Sequence, residues 1–433
     1  MTIDRSFFGS LQEWAKRASR KPLVLMGARQ VGKTQGMKWL SQQGFANNLY
    51  LNFEENPEAK LVFEKDLDPV RILAELQILY DVILEAGKSL LIFDEVQECS
   101  RALTAMKYFF ERMPGFHVIA AGSLLGLKSP KETSFPVGKI EILNVFPFTI
   151  REFFDALGHK KLLESLLILG SKSSAALHLR AIEVLKVYLF VGGMPEAVAL
   201  YIKSKDLKEV RILQQSILIA YELDFSRHAE AKDAPKIRRI WQTLPFQLAK
   251  ETKKFSMTDL GTGARFREYE IAFQWLQDAH LVHRCNRIEA LKLPLAGYAA
   301  SHAFKLYCLD VGLLGAMSAL DSKTLVQTPK GVFEKFKGAM AENLVAQELA
   351  AQGIKAHFWA SENKAEVDFV FALQGELWAA EVKSGTNLRS RSLEVLMLLQ
   401  PKAKTLKLSL QPLEISKKMA HIPLYAMEIL KNL

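Results

Sequence analysis

Eight consecutive residues, Gly27-Ala28-Arg29-Gln30-Val31-Gly32-Lys33-Thr34, have the spacing G-x-x-x-x-G-K-[ST]. Glycines at both ends let backbone N–H groups turn toward a phosphate, and a helix starting at the second one adds its positive end. The pattern makes Gly27, Arg29, Gln30, Gly32, Lys33 and Thr34 candidate contacts to a nucleoside triphosphate. Lys33 would reach the β- and γ-phosphates, and the Thr34 hydroxyl would ligate Mg²⁺. Roughly sixty residues further on, the apolar run Ser89-Leu90-Leu91-Ile92-Phe93 ends in Asp94-Glu95. A continuous apolar run reads as a buried parallel strand, and open α/β sheets bind ligands at the carboxyl ends of such strands. Asp94 is the candidate for the Mg²⁺ hydration shell and Glu95 for polarising the attacking water. A third apolar run, His117 to Ala121, ends in Gly122-Ser123. Ser123 is a candidate polar sensor of the γ-phosphate.

A second set of chemically capable residues lies near the end of the chain. Phe333 to Ala351 reads as a long amphipathic helix bearing Glu342. Glu366-Val367-Asp368-Phe369-Val370-Phe371 alternates charged and apolar residues, as a half-buried strand does. After a Gln374-Gly375 turn, Leu377 to Lys383 reads as the partner strand. Glu381 and Lys383 are two apart and share a face. Asp368, Glu381 and Lys383 can therefore converge, which suits metal-dependent phosphodiester hydrolysis. Asp368 and Glu381 would hold Mg²⁺, Glu342 would complete the shell, and Lys383 would orient the water or stabilise the developing charge. The plainer reading is a sheet edge with an alternating charge pattern.

Elements must position these groups. Residues 20 to about 150 alternate apolar strands with amphipathic stretches, a βαβα rhythm that implies a parallel sheet covered by helices. Residues 150 to about 230 read as helical, interrupted by Val191-Gly192-Gly193-Met194-Pro195. Three helical stretches between 237 and 279, followed by two strands, outline a winged helix, a module that serves either DNA or protein partners. The expected fold class is α/β: a P-loop domain over 1–150, a helical domain over 151–232, a winged-helix-like domain over 233–320 and a smaller α/β domain over 321–433.

At 433 residues, the chain is too long for one ordinary core. Its formal net charge of +10 makes nucleic acid a natural polyanionic partner. Cys99, Cys285 and Cys308 are few and far apart, suggesting neither a disulfide framework nor a zinc site. No apolar run approaches a membrane span, and the first residues lack a signal-peptide layout. The expected location is cytoplasmic, with no membrane contact.

Taken together, the motifs resemble a large prokaryotic group of AAA-type ATPases of unknown function. Their C-terminal half combines a winged helix with a PD-(D/E)xK, or restriction-endonuclease-like, domain. The resemblance rests on Gly27 to Thr34, Asp94-Glu95-Val96-Gln97, Gly122-Ser123, Gly192-Gly193-Met194-Pro195-Glu196 and Leu309 to Leu314. It continues through Ala341-Glu342-Asn343, Glu348-Leu349, Glu366 to Phe369 and Glu381 to Gly385. It implies ATP as the nucleotide, Mg²⁺ as the ion, and hydrolysis of the bound ATP. Such proteins usually carry a Gly-Arg pair after the sensor strand, where this chain has Gly138-Lys139. Lysine keeps the charge but not the planar bidentate contact. An alternative catalytic arginine stays open among Arg101, Arg112 and Arg151. The expected function is an ATPase coupled to a DNA-binding, DNA-cleaving C-terminal module. The alternative is a non-cleaving ATP-dependent switch that grips a partner protein or DNA.

Overall fold

The structure, a computed structural model, describes residues 3–122, 136, 138–320, 332–361, 365–383, 390–416 and 419–433. The chain divides into two compact units, Met1–Phe146 and Pro147–Leu433. The expected parts beyond residue 150 thus pack as one unit.

The first unit is built on five strands: β1 (Leu23–Met26), β2 (Asn47–Asn52), β3 (Ser89–Asp94), β4 (His117–Ala121) and β5 (Glu141–Asn144). All pairings are parallel, in the order β2-β3-β4-β1-β5. The central strands β1, β3 and β4 are buried at every position, which explains their unbroken apolar sequences. One face of the sheet packs around Leu51, Phe53, Phe63, Phe93 and Phe109, rings meeting mostly edge to face. The residue spacing is helical from Val70 to Ala86, but the helix stops early. The helix covers Pro69–Leu79, and Asp81 then adopts a left-handed backbone, φ 47°.

The second unit holds β6 (Val282–Ile288), β7 (Ala299–Cys308), β8 (His357–Ala360), β9 (Glu366–Leu373), β10 (Glu376–Val382), β11 (Lys404–Ser409), β12 (Glu414–Ile415) and β13 (Met419–Pro423). They form one sheet in the order β12-β13-β11-β10-β9-β8-β6-β7. Gln374 and Gly375 both have positive φ, 51° and 79°, the signature of the two-residue hairpin turn that joins β9 to β10. β10 runs parallel to β11 across the helix Arg391–Leu399. The resulting order from helix Val332–Ala351 onward is α-β-β-β-α-β.

Two expectations differ from what is observed. The middle helix of the winged-helix outline is a single 3₁₀ turn, Met257–Leu260, between helices Ala234–Ala249 and Phe266–Asp278. Its hairpin, β6–β7, continues the C-terminal sheet, because β6 pairs in parallel with β8. The Val332–Ala351 helix reads as amphipathic, yet Glu342, Asn343, Gln347 and Glu348 are all buried. Asn343 pairs with both the N–H and the C=O of Cys308, Gln347 accepts from Val311 N and Glu348 from Ile150 N, while Glu342 accepts from the side chains of Lys253 and Tyr307. Buried polar side chains that are fully partnered specify one arrangement of the elements they join.

The Gly192-Gly193 turn interlocks with the Leu309–Leu314 motif. Gly192 has φ 71°, and a Cβ there would lie 2.2 Å from Asp310 Oδ1. Asp310 accepts from Gly193 N at 2.6 Å and from Leu313 N at 2.9 Å, capping the helix Val311–Met317.

Candidate functional site

The loop after β1 leads into the helix Lys33–Ser41, whose N-cap, Gly32, has φ 99°. Gly27 (φ 148°) and Gln30 (φ 63°) also lie at positive φ. A Cβ at Gly27 would fall 2.2 Å from Val145 O, so the close approach of β1 to the residue after β5 requires glycine. Arg5, 7% exposed, donates to Val31 O at 3.1 Å and Phe146 O at 2.7 Å. It ties the loop to the far end of the unit, and nothing in the spacing of the motif pointed to it.

Lys33 Nζ donates to Gly27 O at 2.8 Å and Ala28 O at 2.7 Å. Burial pushes its pKa down to about 8, although Glu95 and Asp94 pull it up. The ammonium is thus stored on loop carbonyls that a phosphate oxygen can replace. Thr34 Oγ1 donates to Asp94 Oδ2 at 2.8 Å, which joins the two motifs directly. A hydrogen bond to a charged group contributes about 1.5–3 kcal/mol. Tyr50 OH donates to the same oxygen at 2.8 Å, and Glu95 N donates to Asp94 Oδ1 at 3.0 Å. Tyr50 was not singled out from sequence. It reaches Asp94 because β2 lies beside β3, with Asn52 opposite Asp94 and Tyr50 two residues earlier on the same face.

Glu95 has φ 50°, a left-handed backbone that non-glycine residues seldom adopt. Its carboxylate accepts from Gln97 Nε2. Gly122 packs on the same turn, since a Cβ there would lie 2.6 Å from Gln97 Oε1. Ser123 lies outside the described residues. The oxygen-only pair of Thr34 hydroxyl and buried Asp94 carboxylate fits a hard divalent cation such as Mg²⁺.

The arginine alternatives are engaged within their own units. Arg101 donates to Phe63 O, Arg112 pairs with Asp68, and Arg151 pairs with Asp155, Glu164 and Glu428. Lys139 pairs with Glu111 at 3.0 Å.

At the C-terminal set, Glu342 and Asp368 come together, but around a lysine. Lys305, on β7, has a side chain 1% exposed. Its Nζ lies 2.6 Å from Glu366 Oε1, 3.7 Å from Asp368 Oδ1 and 3.8 Å from Glu342 Oε2. Lys253 Nζ bonds Glu342 Oε1, and Tyr307 OH donates to Glu342 Oε2 at 3.0 Å. Asp368 Oδ2 accepts from Val382 N at 2.9 Å. Burial pulls the Lys305 pKa down, and the three carboxylates more than reverse this, holding it above the ordinary lysine value. An ammonium buried alone would cost several kcal/mol, so its partners decide its charge. Burial, reinforced by Glu342, pushes Asp368 up to about 7. Glu381 faces other partners: Lys383 Nζ at 2.6 Å and the Ser390 hydroxyl. Among the described residues, no three or more His, Cys, Asp or Glu side chains are grouped to hold a metal ion. The carboxylates that meet here are paired with the Lys253 and Lys305 ammoniums. Lys253, Lys305 and Glu366 escaped the sequence reading; only the register of β6 with β7 and β8 brings Lys305 toward this helix.

Comparison with protein families matches residues 19–154 to the AAA domain. The first unit therefore carries an AAA-type P-loop domain, a nucleotide-binding class. Residues 182–324 and 337–426 each match a domain of unknown function, DUF8612 and DUF4143 respectively. No curated protein sequence gives a significant match. Among solved structures, the chain is similar to the Walker-type ATPase PABY2304 of Pyrococcus abyssi. Identity is 13%, covering 73% of this chain and 96% of that one, with a TM-score of 0.46. It is also similar to the Aeropyrum pernix ORC1 protein, solved in complex with DNA: 11% identity, 73% and 93% covered, TM-score 0.31. AMPPCP-bound DnaA from Aquifex aeolicus gives 13% identity, 64% and 88% covered, and TM-score 0.29. At these identities and TM-scores the likenesses carry no further argument. No described helix is long and apolar enough to cross a membrane.

Proposed function

We propose that this protein is a Mg²⁺-dependent ATPase whose nucleotide state governs a DNA-binding C-terminal half. The observation that carries the hydrolytic reading is the Thr34–Asp94 hydrogen bond, with Glu95 next in the chain. Thr34 and Asp94 would hold the ion, which would neutralise phosphate charge. Lys33 leaves the carbonyls of Gly27 and Ala28 for the terminal phosphate oxygens. Backbone N–H groups between Gly27 and Thr34, with Arg29 and Gln30 flanking, orient the phosphates. The Glu95 carboxylate accepts a proton from the attacking water, and Ser123 is assigned to sense the γ-phosphate. Gln97, bonded to Glu95, holds that carboxylate until substrate arrives.

For the second unit, the α-β-β-β-α-β order supports a restriction-endonuclease-like core, and the net charge of +10 supports a polyanionic partner. The cleaving reading assigns Glu342, Asp368 and Glu381 to metal and Lys383 to the reacting water. The non-cleaving switch is favoured by one observation: the buried Lys305 ammonium among Glu342, Glu366 and Asp368.

Turnover and nucleotide binding, measured on wild type, Lys33→Ala and Glu95→Gln, test the first part. Lys33→Ala should lose both. Glu95→Gln should bind a fluorescent ATP analogue normally and lose turnover by about a hundredfold or more, as expected for removing a general base. Normal turnover in Glu95→Gln would sink that assignment.

A further inference from the structure

We propose that Lys305 and Lys253 are the resident counter-cations of the C-terminal carboxylate set, standing where a nuclease of this fold would hold a divalent metal. This rests on reading the second unit as restriction-endonuclease-like, and it makes that unit a metal-free, non-cutting module.

The geometry shows a built arrangement rather than a chance ion pair. Five side chains arrive from four parts of the unit: Lys305 from β7, Lys253 from the segment before β6, Glu342 from the long helix, and Glu366 and Asp368 from β9. Lys305 is 1% exposed and Glu342 6% exposed, so surface screening does not act on them. The Lys305 ammonium lies 2.6–3.8 Å from one oxygen of each of three carboxylates. Lys253 bonds the other Glu342 oxygen, and Tyr307 donates to the one facing Lys305. Asp368 spends its second oxygen on Val382 N. Two ammoniums bring the two positive charges that one divalent ion would bring, Lys305 through ion pairs and Lys253 through a hydrogen bond to Glu342 as well. A metal shell needs carboxylate oxygens free on a common side. Here both Glu342 oxygens and Asp368 Oδ2 already accept hydrogen bonds, and Lys305 stands among the carboxylates. Glu381, which a metal site of this layout would recruit, bonds Lys383 and Ser390 instead.

The consequence is specific: removing the lysines should create the metal site that the carboxylates alone would form. Mn²⁺ binding to the nucleotide-free full-length chain, followed by electron paramagnetic resonance, tests this. Asp94→Asn in the background silences the P-loop. That protein should take up no Mn²⁺ at concentrations up to about 1 mM, a generous limit for carboxylate sites. Adding Lys253→Met and Lys305→Met should give one Mn²⁺ bound at least about tenfold more tightly. Adding Asp368→Asn to the lysine-free variant should abolish that binding. Mn²⁺ should raise the melting temperature of the lysine-free variant only, and Lys305→Arg should stay folded without metal.

A lysine-free variant that folds and gains no Mn²⁺ would overturn the proposal. Two readouts do not depend on that variant folding. Mn²⁺ uptake by the Asp94→Asn protein that disappears with Asp368→Asn would also overturn it. So would nicking of plasmid DNA by wild type in Mg²⁺ or Mn²⁺ that disappears with Asp368→Asn. ATP turnover of wild type and Glu95→Gln, both with Asp94 intact, reads the P-loop assignment separately, so a failure here leaves that assignment untouched.

Discussion

Lys33 is a cation whose charge depends on what it faces. Burial sets its pKa at about 8 while its ammonium sits on the carbonyls of Gly27 and Ala28, with Arg29 adding a small push downward. A triphosphate favours the charged form strongly. The sign follows: below about pH 8 the ammonium is already present, and above it nucleotide binding must take up a proton. Affinity should then fall by up to about tenfold per pH unit above that point. Calorimetry near pH 8.5, in two buffers of different ionisation enthalpy, should show proton uptake on ATP-analogue binding. Lys33→Arg should bind without uptake, since guanidinium stays charged. Uptake unchanged in Lys33→Arg would assign the proton to another group.

At the scale of single elements, the Val332–Ala351 helix departs furthest from its pattern. Its polar residues are structural staples, and Glu348 is the most costly of them. Glu348 Oε1 accepts from Ile150 N at 2.8 Å, at the start of the helix Ile150–Ala156. Burial nonetheless pushes its pKa up to about 8, with Glu152 and Glu428 adding to the rise. A carboxyl whose folded pKa is raised contributes stability below its unfolded value, near 4.5, and loses it as pH climbs to about 8. The slope approaches about 1.4 kcal/mol per pH unit. Glu348→Gln should flatten it, because the amide carries no charge at any pH. Urea unfolding of both proteins between about pH 5 and pH 8 checks this. Equal slopes would show that Glu348 is not the titrating group.

At the scale of the whole molecule, a basic chain carries an AAA-type nucleotide domain and a second unit with one eight-stranded sheet. If DNA is the partner, affinity should fall linearly in a plot of log K against log salt, with a slope that counts neutralised phosphates. A fluorescent duplex titrated at about 50 and 200 mM salt should show a drop of tenfold or more for several phosphate contacts. A flat response would point to an apolar protein interface. The proposed lysine counter-cations belong to this scale too, since they join residues far apart in the chain.

The nucleotide site was legible in the sequence because its chemistry is local. Gly27 to Thr34 form one loop, and Asp94-Glu95 end one strand, so spacing and apolar runs suffice to expose them. The strands β1, β3, β4, β9 and β10 were legible for the same reason, each having a clear apolar or alternating period. Tyr50 was hidden because its approach to Asp94 depends on strand order, which no local period encodes. The C-terminal set was hidden more deeply. Glu342, Asp368, Glu381 and Lys383 were visible as residue types, but side-chain direction and strand register determine which oxygens meet which cation. The register of β6 with β7 and β8 carries Lys305 into the carboxylates, and the loop after the helix Ala234–Ala249 brings Lys253. Sequence alone therefore determined that a P-loop and an acidic strand end are present. Only the tertiary structure decided that the second acidic set already holds its positive charge, because long-range pairing, and not spacing, fixes the partners of a buried ion.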